Sequence, residues 1–357
     1  MKNTFPEFAR KTAEEHRKIW DNSLVIFDTS VLLSLYYYSP ETRKSIIEMM
    51  KRLKSRLWMP YQVGKEFYMG RVNIIQKLET LPNNIIKGFD NLLNNAPKNS
   101  VFYRILSSMS DKLQKDIEKE TKHSQQSIND DKILDTLESI YNGRVGQPMT
   151  QDECAAIDKE YKDNIANKIC CPGFKDSKKE NNAAGDFYIW KQMLEKAKET
   201  NKNVFFVTED TKEDWWWKNG NKLIGPRPEL KQEFIKATNG LFFQMYTLQK
   251  FISINSKYEK QPVNNKVEEE IKLNKDVLTK EFWDAHTLEM IDEIPSIDIK
   301  RHFNELEHTI NPCIDKIYSD NYIAKKLMAA LKDIKPIENL GSYPLAEIFA
   351  QEHKTKK

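Results

Sequence analysis

The chain has 357 residues, enough for one large or two modest domains with a full hydrophobic core. Its 56 basic and 53 acidic residues leave a net charge of only +3, which excludes binding of nucleic acid through bulk charge and leaves only a local patch. The four cysteines form no C-x-x-C pair and no apolar run approaches the roughly 18 residues of a membrane span, so we expect a reduced, cytoplasmic protein with no membrane partner.

A run of apolar residues predicts the first strand of the domain. Residues 24–27 (LVIF) follow one another without a polar interruption, a pattern typical of strands buried on both faces of a parallel sheet. Asp28 follows directly, at the carboxyl end of the strand, where open α/β sheets bind their ligands. For one such aspartate, capping of a turn or of the following helix is the simpler explanation.

Two helices and a short strand are predicted next. Ser39 begins a helix because it is a favoured N-cap residue and is followed by a proline and an acid. A short strand is expected at 57–59 and ends at Pro60. The helix that follows carries Glu66.

A long charged block follows, at residues 70–168, and is predicted to be mostly helical. Breaks are expected near Pro82 and Pro97, because proline cannot donate the backbone hydrogen bond of a helix interior. Thr150 and Glu153 have the spacing of a capping box, which predicts another helix start. We interpret the block as a helical insertion or cap.

The pattern of a buried strand followed by an acid recurs at 203–207 (NVFFV), with Asp210 shortly beyond the strand end. Asp186 is predicted to lie in the first turn of the helix that precedes this strand. A loop is expected over 208–220, and one more strand at 241–246. Strands that alternate with helices favour an α/β fold with a mostly parallel central sheet flanked by helices.

Four acids are then expected to converge at one edge of the sheet: Asp28, Glu66, Asp186 and Asp210. Crowded carboxylates raise one another's pKa, so such a cluster needs a counter-charge. Hard divalent cations such as Mg²⁺ or Mn²⁺ are suitable, because they prefer oxygen ligands and accept phosphate oxygens. Two such ions roughly 4 Å apart could activate a water and stabilise the leaving oxygen of a phosphodiester.

Taken in order, the motifs around these acids resemble the PIN-like nuclease superfamily, and most closely its bacterial group with a long helical insertion. The resemblance covers roughly residues 20–255. The motifs are Phe27-Asp28-Thr29-Ser30, Pro60-x5-Glu66-Phe67, Pro172-Gly173-Phe174-Lys175-Asp176, Gly185-Asp186-x3-Trp190 and Thr208-Glu209-Asp210-x-Lys212-Glu213-Asp214-Trp215-Trp216.

The resemblance implies a metal-dependent endonuclease that usually acts on RNA, with DNA as the less favoured substrate. The expected reaction is hydrolysis of a phosphodiester by metal-activated water, which leaves 5′-phosphate and 3′-hydroxyl ends. The four acids match the catalytic and metal-binding quartet, and Ser30 matches the small polar residue that supports the first acid. Asp214 is a candidate fifth metal ligand, with a loop acid paired to Lys212 as the equal alternative. A toxin-like or phage-defence role is a further expectation from the resemblance.

Basic and aromatic residues around these motifs are candidates for contacts with nucleic acid. The cations that could hold substrate phosphates are Arg43, Lys175, Lys212 and Arg227. Each of them could equally be a solvated or salt-bridged surface residue. The tryptophans at 215–217 could stack on bases, although alternation along the chain requires at least one to face the core.

Other function classes fit less well. A haloacid-dehalogenase-type phosphatase needs a second acid two residues after Asp28, and that position is Ser30. An integrin-like adhesion module needs D-x-S-x-S, and its last position here is Leu32. The serious alternative is a non-catalytic module on the same fold that binds nucleic acid or a protein partner.

We therefore divide the chain into three parts. Residues 1–255 form the nuclease domain, with the insertion at about 70–168. Residues 256–278 form a linker or surface helix. Residues 279–357 form a helical C-terminal region, where a regulatory protein partner could bind.

Overall fold

The structure is a computed structural model that describes residues 1–280, except for short gaps at 2–3, 10, 125–127, 180–181, 221 and 262–263. The predicted C-terminal region lies outside the described residues beyond its first two positions. The strands of the described part are β1 (Ser23–Phe27), β2 (Asn203–Val207), β3 (Trp216–Asn219), β4 (Lys222–Pro226) and β5 (Phe243–Tyr246).

Helices make up most of the remaining described residues. The α-helices are α1 (Ala13–Asp21), α2 (Thr29–Ser34), α3 (Pro40–Arg52), α4 (Tyr61–Asn95), α5 (Val101–Ser124), α6 (Lys132–Tyr141), α7 (Gln151–Ala166), α8 (Gly185–Thr200), α9 (Pro228–Ala237), α10 (Leu248–Glu259) and α11 (Asn265–Lys280). Short 3-10 turns lie at Pro6–Phe8, Lys54–Arg56 and Phe174–Asp176. No helix among the described residues is both long enough and apolar enough to cross a membrane.

The central sheet is parallel and has the strand order β1-β2-β5. Phe27, Val207 and Tyr246 lie side by side at its carboxyl edge, so the residues that follow these strands share that edge. Every residue of β1 is buried, as the apolar run predicts for a strand covered on both faces. The predicted α/β fold, with a parallel sheet flanked by helices and a helical extension, is confirmed.

An aromatic cluster fills one face of the sheet. Trp190 of α8 contacts Phe234 of α9 and Phe243 of β5, with ring centroids 6.0 and 5.0 Å apart. Trp215 lies edge-on to Trp190 at 6.2 Å. Rings packed in this way bury large apolar areas, which fixes the helices on the sheet and holds its carboxyl edge in place.

Three local predictions are wrong. The expected strand at 57–59 forms only isolated bridges, from Leu57 to Val25 and from Met59 to Val145. Pro82 does not break the helix, because α4 runs through it for 35 residues and packs against α5. The expected loop at 208–220 ends in β3, which pairs with β4 in an antiparallel hairpin.

The stretch predicted as a linker or surface helix contains α11, which packs against α3. Val267 and Ile271 of α11 are buried in the main hydrophobic core. Glu270 accepts hydrogen bonds of 2.6 Å from the backbone amide and hydroxyl of Ser39 and from the hydroxyl of Thr42, at the start of α3. The boundaries between the three parts of the chain stay a prediction.

Candidate functional site

Asp28 lies at the carboxyl edge of the sheet, directly after β1. It occupies the N-cap position of α2, but its side chain makes no capping hydrogen bond. Instead Oδ2 accepts hydrogen bonds from the hydroxyls of Ser30, at 2.6 Å, and Thr208, at 2.8 Å. The two donors follow neighbouring strands, so the sheet itself fixes the orientation of this carboxylate. Capping of the following helix therefore does not explain Asp28.

The carboxyl of Asp28 is harder to ionise than an ordinary aspartate. Burial raises its pKa to about 6, against the opposing effect of the Ser30 and Thr208 hydrogen bonds. The nearby carboxylates of Glu66 and Asp210 raise the pKa further. A positive charge placed beside Asp28 would reverse both effects.

Asp210 is held by the loop that follows β2. Its backbone amide donates to the Thr208 hydroxyl at 2.9 Å, and its Oδ1 accepts from the backbone amide of Lys212 at 2.7 Å. The indole of Trp216 donates to the Asp210 carbonyl at 2.6 Å. This short turn directs Asp210 back toward the edge that carries Asp28.

Glu66 lies in the second turn of α4 and is hydrogen-bonded through both oxygens. Oε1 accepts from the amides of Gln62 and Asn182, each at 2.8 Å, and Oε2 accepts from the Thr29 hydroxyl at 3.0 Å. The start of α8 approaches closely here, because a Cβ on Gly185 would lie 2.7 Å from Oε1. Any larger residue at position 185 would displace Glu66 or Asn182.

Asp186 lies in the first turn of α8, half-buried, and completes the predicted quartet at this edge. Burial raises its pKa well above the usual range, and the carboxylates of Asp210 and Asp214 raise it further. Asp28 contributes in the same direction. The structure therefore brings all four predicted acids, and the candidate fifth, into one electrostatic cluster.

Asp214 is the most isolated carboxylate of the cluster. It has no exposed surface, and neither of its oxygens accepts a hydrogen bond of normal geometry from another described residue. Burial raises its pKa to about 6, and Asp210 adds to the effect. Lys212 and the backbone amide of Asp214 oppose this rise only in part, so a buried aspartate with so few partners costs folding stability.

Lys212 provides a positive charge within the cluster. Its Nζ lies 2.9 Å from Asp176 Oδ2 and 3.0 Å from Asp210 Oδ2. Burial alone would lower its pKa, but the carboxylates of Asp210, Asp176 and Asp186 raise it instead. Lys212 thus pairs with Asp210 and Asp176, and not with Asp214 as the alternative interpretation expected.

The other predicted phosphate-binding cations are engaged by protein groups. Arg43 donates to the carbonyls of Leu35 and Tyr38, at 2.8 and 3.0 Å, at and beyond the C-terminal end of α2. Lys175 pairs with Glu213 at 2.9 Å. Arg227 pairs with Glu229 at 3.0 Å and donates to the Glu213 carbonyl at 2.9 Å. Arg43 thus lies apart from Lys212, whereas Lys175 and Arg227 both contact Glu213, the residue next to it.

The three consecutive tryptophans divide between core and surface. Trp215 and Trp216 are buried, which confirms that at least one of them faces the core. Trp217 is 45% exposed and lies edge-on to Phe8 with ring centroids 5.8 Å apart. Base stacking at this segment is therefore restricted to Trp217.

Several residues of the site were not predicted from the sequence. Asp176 was part of a recognised motif but was not assigned a role, and only its pairing with Lys212 shows that it belongs to the cluster. Gln62 and Asn182 support Glu66 from positions that carry no recognisable signal. Gln62 lies one helical turn before Glu66, which is the one hint that the spacing offers.

The chemistry of the donor set fits a hard divalent cation, since the cluster offers carboxylate oxygens and Asp214 leaves two of them without partners. Among the described residues, no group of three or more His, Cys, Asp and Glu side chains is arranged to hold a metal ion as it stands. Lys212 supplies the local counter-charge in this arrangement.

Comparison with known proteins gives one positive result. Residues 24–230, more than half of the chain, match the family described as PIN like domain, whose members form a nuclease-type superfamily and are generally divalent-metal dependent. No curated protein and no solved structure gives a significant match. The matched range contains all five acids of the cluster and ends within α9. The resemblance inferred from the motifs is thus confirmed, and the chain belongs to the PIN-like domain family.

Proposed function

We propose that the protein is a divalent-metal-dependent endonuclease that cleaves RNA. The observation that carries this proposal is the cluster at the carboxyl edge of the sheet, where burial and mutual repulsion raise the pKa values of Asp28, Asp186 and Asp214 together. Perturbed carboxylates concentrated in one place are typical of functional sites. Membership of a nuclease-type family supports the same reaction class.

The residues that would hold a divalent ion are Asp28, Asp186 and Asp210, with Asp214 behind them. When bound, such an ion neutralises phosphate charge and lowers the pKa of water. Ser30 and Thr208 both donate to Oδ2 of Asp28, which leaves Oδ1 free of protein partners among the described residues. The hydroxyls therefore orient Asp28 without occupying both of its oxygens.

In this proposal the reaction is hydrolysis. Water adds to phosphorus, the bond to the 3′ oxygen breaks, and that oxygen takes up a proton, which leaves 5′-phosphate and 3′-hydroxyl ends. Glu66 is fixed by three hydrogen bonds and would hold the attacking water or a cation in a constant position. Lys212 lies where its ammonium would contact a phosphate that displaces Asp210 from the ion pair.

One observation favours a second candidate, a non-catalytic module that binds nucleic acid. Lys212 already neutralises Asp210 and Asp176, and no group of three or more His, Cys, Asp and Glu side chains among the described residues is arranged to hold a metal ion. A site that is permanently closed by its own lysine would bind a phosphate backbone without cutting it. Lys175 and Arg227, on the neighbouring loop, would add to such a surface.

The deciding experiment is incubation of the pure protein with end-labelled single-stranded RNA and DNA, in Mg²⁺, in Mn²⁺ and in chelator. We expect metal-dependent cleavage of RNA by the wild type and none by Asp28→Asn purified in the same way, which excludes a contaminating nuclease. Binding of either strand without cleavage in both metals would support the second candidate. A toxin-like or phage-defence role would follow only if expression of the active protein, and not of Asp28→Asn, stopped growth of the host cell.

A further inference from the structure

A cavity of about 710 Å³ lies beside Glu66, between the starts of α4 and α8 and one face of α7. This volume lies within the range of pockets that bind small organic molecules. Its walls combine aromatic and aliphatic side chains with a few amides: Tyr61, Met149, Tyr161, Ile165, Gln62 and Gln192. The cavity thus joins the acid cluster to the helical insertion, which supplies α7.

Two glutamines in the wall are almost completely buried and only partly hydrogen-bonded. Gln62 is 8% exposed and Gln192 is 7% exposed. Gln62 Nε2 donates to Glu66 and Asn182, and Gln192 Oε1 accepts from the Gln62 backbone amide at 3.1 Å. In the part of the chain that the structure describes, this leaves Gln62 Oε1 as an acceptor and Gln192 Nε2 as a donor with no protein partner.

Neither atom is completely buried, and both belong to residues that line the cavity, so both are available to a ligand there. Together they indicate a ligand whose edge presents an acceptor next to a donor, in a cavity whose other walls are apolar. Nucleobases have this edge, and their flat faces stack on aromatic rings.

The rim of the cavity suits the sugar and phosphate of a nucleotide. Tyr61 lies there 38% exposed, so its ring is available for stacking. Lys65 and Lys162 also line the cavity, both are exposed, and neither forms an ion pair with another described residue. Asp158, the one acid in the wall, is hydrogen-bonded to the Tyr188 hydroxyl at 2.8 Å.

We propose that this cavity binds one unpaired nucleobase of the substrate strand, next to the phosphate that is cleaved. The inference rests on the proposed function for its link to the acids, because Gln62 and Asn182 both line the cavity and hold Glu66. A base in a duplex is stacked and paired and cannot enter such a site. The protein therefore selects single-stranded segments and favours one base at a fixed position relative to the cut.

The test measures binding separately from cleavage. A short fluorescent single-stranded RNA is titrated with protein in Ca²⁺ and followed by anisotropy. We expect Tyr61→Ala to bind about tenfold more weakly than wild type, a loss of about 1.4 kcal/mol that lies within the range for base–aromatic stacking. Tyr68→Ala is the matched control, because Tyr68 is on the same helix, is 49% exposed and lies outside the cavity wall. Pairing the RNA with its complement should abolish the difference between the two variants.

Base selection is tested with a second variant. Gln192→Glu keeps the acceptor for the Gln62 amide but replaces the free donor with an acceptor, so it should change which base gives the tightest binding across a set of RNAs. If Gln192→Glu does not fold, as judged by its melting temperature, Tyr61→Ala and its control decide the question.

Each outcome has a defined meaning. Equal affinities for Tyr61→Ala and Tyr68→Ala, or no binding by the wild type, overturn the proposal even if the protein cleaves RNA. The expected losses without any cleavage in Mg²⁺ or Mn²⁺ support the cavity and refute the nuclease function. Free nucleoside monophosphates that displace the RNA from wild type, and less well from Tyr61→Ala, support a base site. Monophosphates that bind without displacing the RNA reveal a separate small-molecule site and overturn it.

Discussion

Two buried aspartates in this protein, Asp131 and Asp214, differ sharply in the hydrogen bonds that their carboxylates accept. Asp131, at the start of α6, is 4% exposed and is fully hydrogen-bonded. Its Oδ2 accepts from the Tyr36 hydroxyl at 2.5 Å and from Arg71 at 2.9 Å, and its Oδ1 accepts from the amides of Ile133 and Leu134. This carboxylate connects the start of the domain to the helical insertion, and every bond it makes favours the folded state.

Asp214 has less exposed surface than Asp131 and no comparable partners. Burial raises its pKa to about 6, and Asp210 adds to the rise. The contrast shows that a buried carboxylate with a structural role, such as that of Asp131, receives a full set of hydrogen bonds in this fold. At the sheet edge the fold instead leaves a buried carboxylate facing Asp210 and Lys212 without comparable hydrogen bonds.

The largest contrast is expected in activity. Asp28→Asn and Asp210→Asn should each lower the rate of RNA cleavage by about a thousandfold or more, beyond the 10–100-fold cost typical of outer-shell partners. Both changes keep side-chain volume and remove a charge from the cluster. Asp131→Asn, assayed well below its melting temperature, should cleave at a near wild-type rate. Equal losses in all three variants would mean that the assay reports folding and not the site.

Stability should show the opposite ranking of the variants: Asp131→Asn, which barely affects the cleavage rate, should lower the free energy of unfolding most. Asp131→Asn removes the charge that Arg71 faces, with side-chain exposures of 2% and 12% in that pair. We expect a loss of about 3 kcal/mol in the free energy of unfolding, because breaking a buried pair leaves the partner uncompensated. Urea denaturation followed by circular dichroism measures this value. A loss below about 1 kcal/mol would show that the pair of Asp131 and Arg71 contributes little to stability.

Added metal should stabilise the protein through the acid cluster at the sheet edge and not through the site around Asp131. Since a cation binds only the folded cluster, Mn²⁺ at about a hundredfold over its dissociation constant should add roughly 3 kcal/mol to the wild type. Asp131→Asn should gain the same amount, whereas Asp28→Asn should lose most of the gain. Thermal unfolding of each protein in chelator and in Mn²⁺ gives the comparison. An equal gain in all proteins would place the ion elsewhere.

The smallest effect concerns Asp214 and its dependence on pH. Its folded pKa of about 6 lies above the ordinary value of 3.8, so the native state binds its proton more tightly than the unfolded state does. The free energy of unfolding should therefore fall as pH rises from about 4 to about 6, and level off above. In chelator at pH 8, Asp214→Asn should be more stable than wild type, by on the order of 1 kcal/mol.

At pH 4 the two proteins should be equally stable, because wild-type Asp214 is then protonated in the folded state. Since Asp214 also raises the pKa of Asp186, the comparison with Asp214→Asn reports the titration of Asp214 together with its coupling to Asp186. A stability difference that does not change between pH 4 and pH 8 would assign the effect to packing and not to charge.

The sequence predicted the parts of the site that depend on strand ends. Buried strands are recognisable from unbroken apolar runs, and parallel strands bring their carboxyl ends to one edge, so Asp28 and Asp210 were predicted to approach each other. Asp186 followed from its place in the first turn of a helix.

The missed features depend on tertiary contacts. Lys212 could be read as a phosphate ligand or a surface residue, and only the position of Asp176, brought close by a 3-10 turn, decides its pairing. Likewise, proline usually breaks a helix, but α4 continues through Pro82, where contacts with α5 stabilise it.

The Glu270 contact makes the amide proton of Ser39 a reporter for a distant part of the chain. That proton is bonded to a carboxylate 231 positions away, so separation of α11 from α3 would break the bond and speed its exchange with solvent. Its exchange rate therefore reports how often α11 separates from α3, and the measurement needs no mutation. If binding of a partner to the chain beyond residue 280 separates α11 from α3, deuterium uptake at Ser39, near the N-terminus, should become faster.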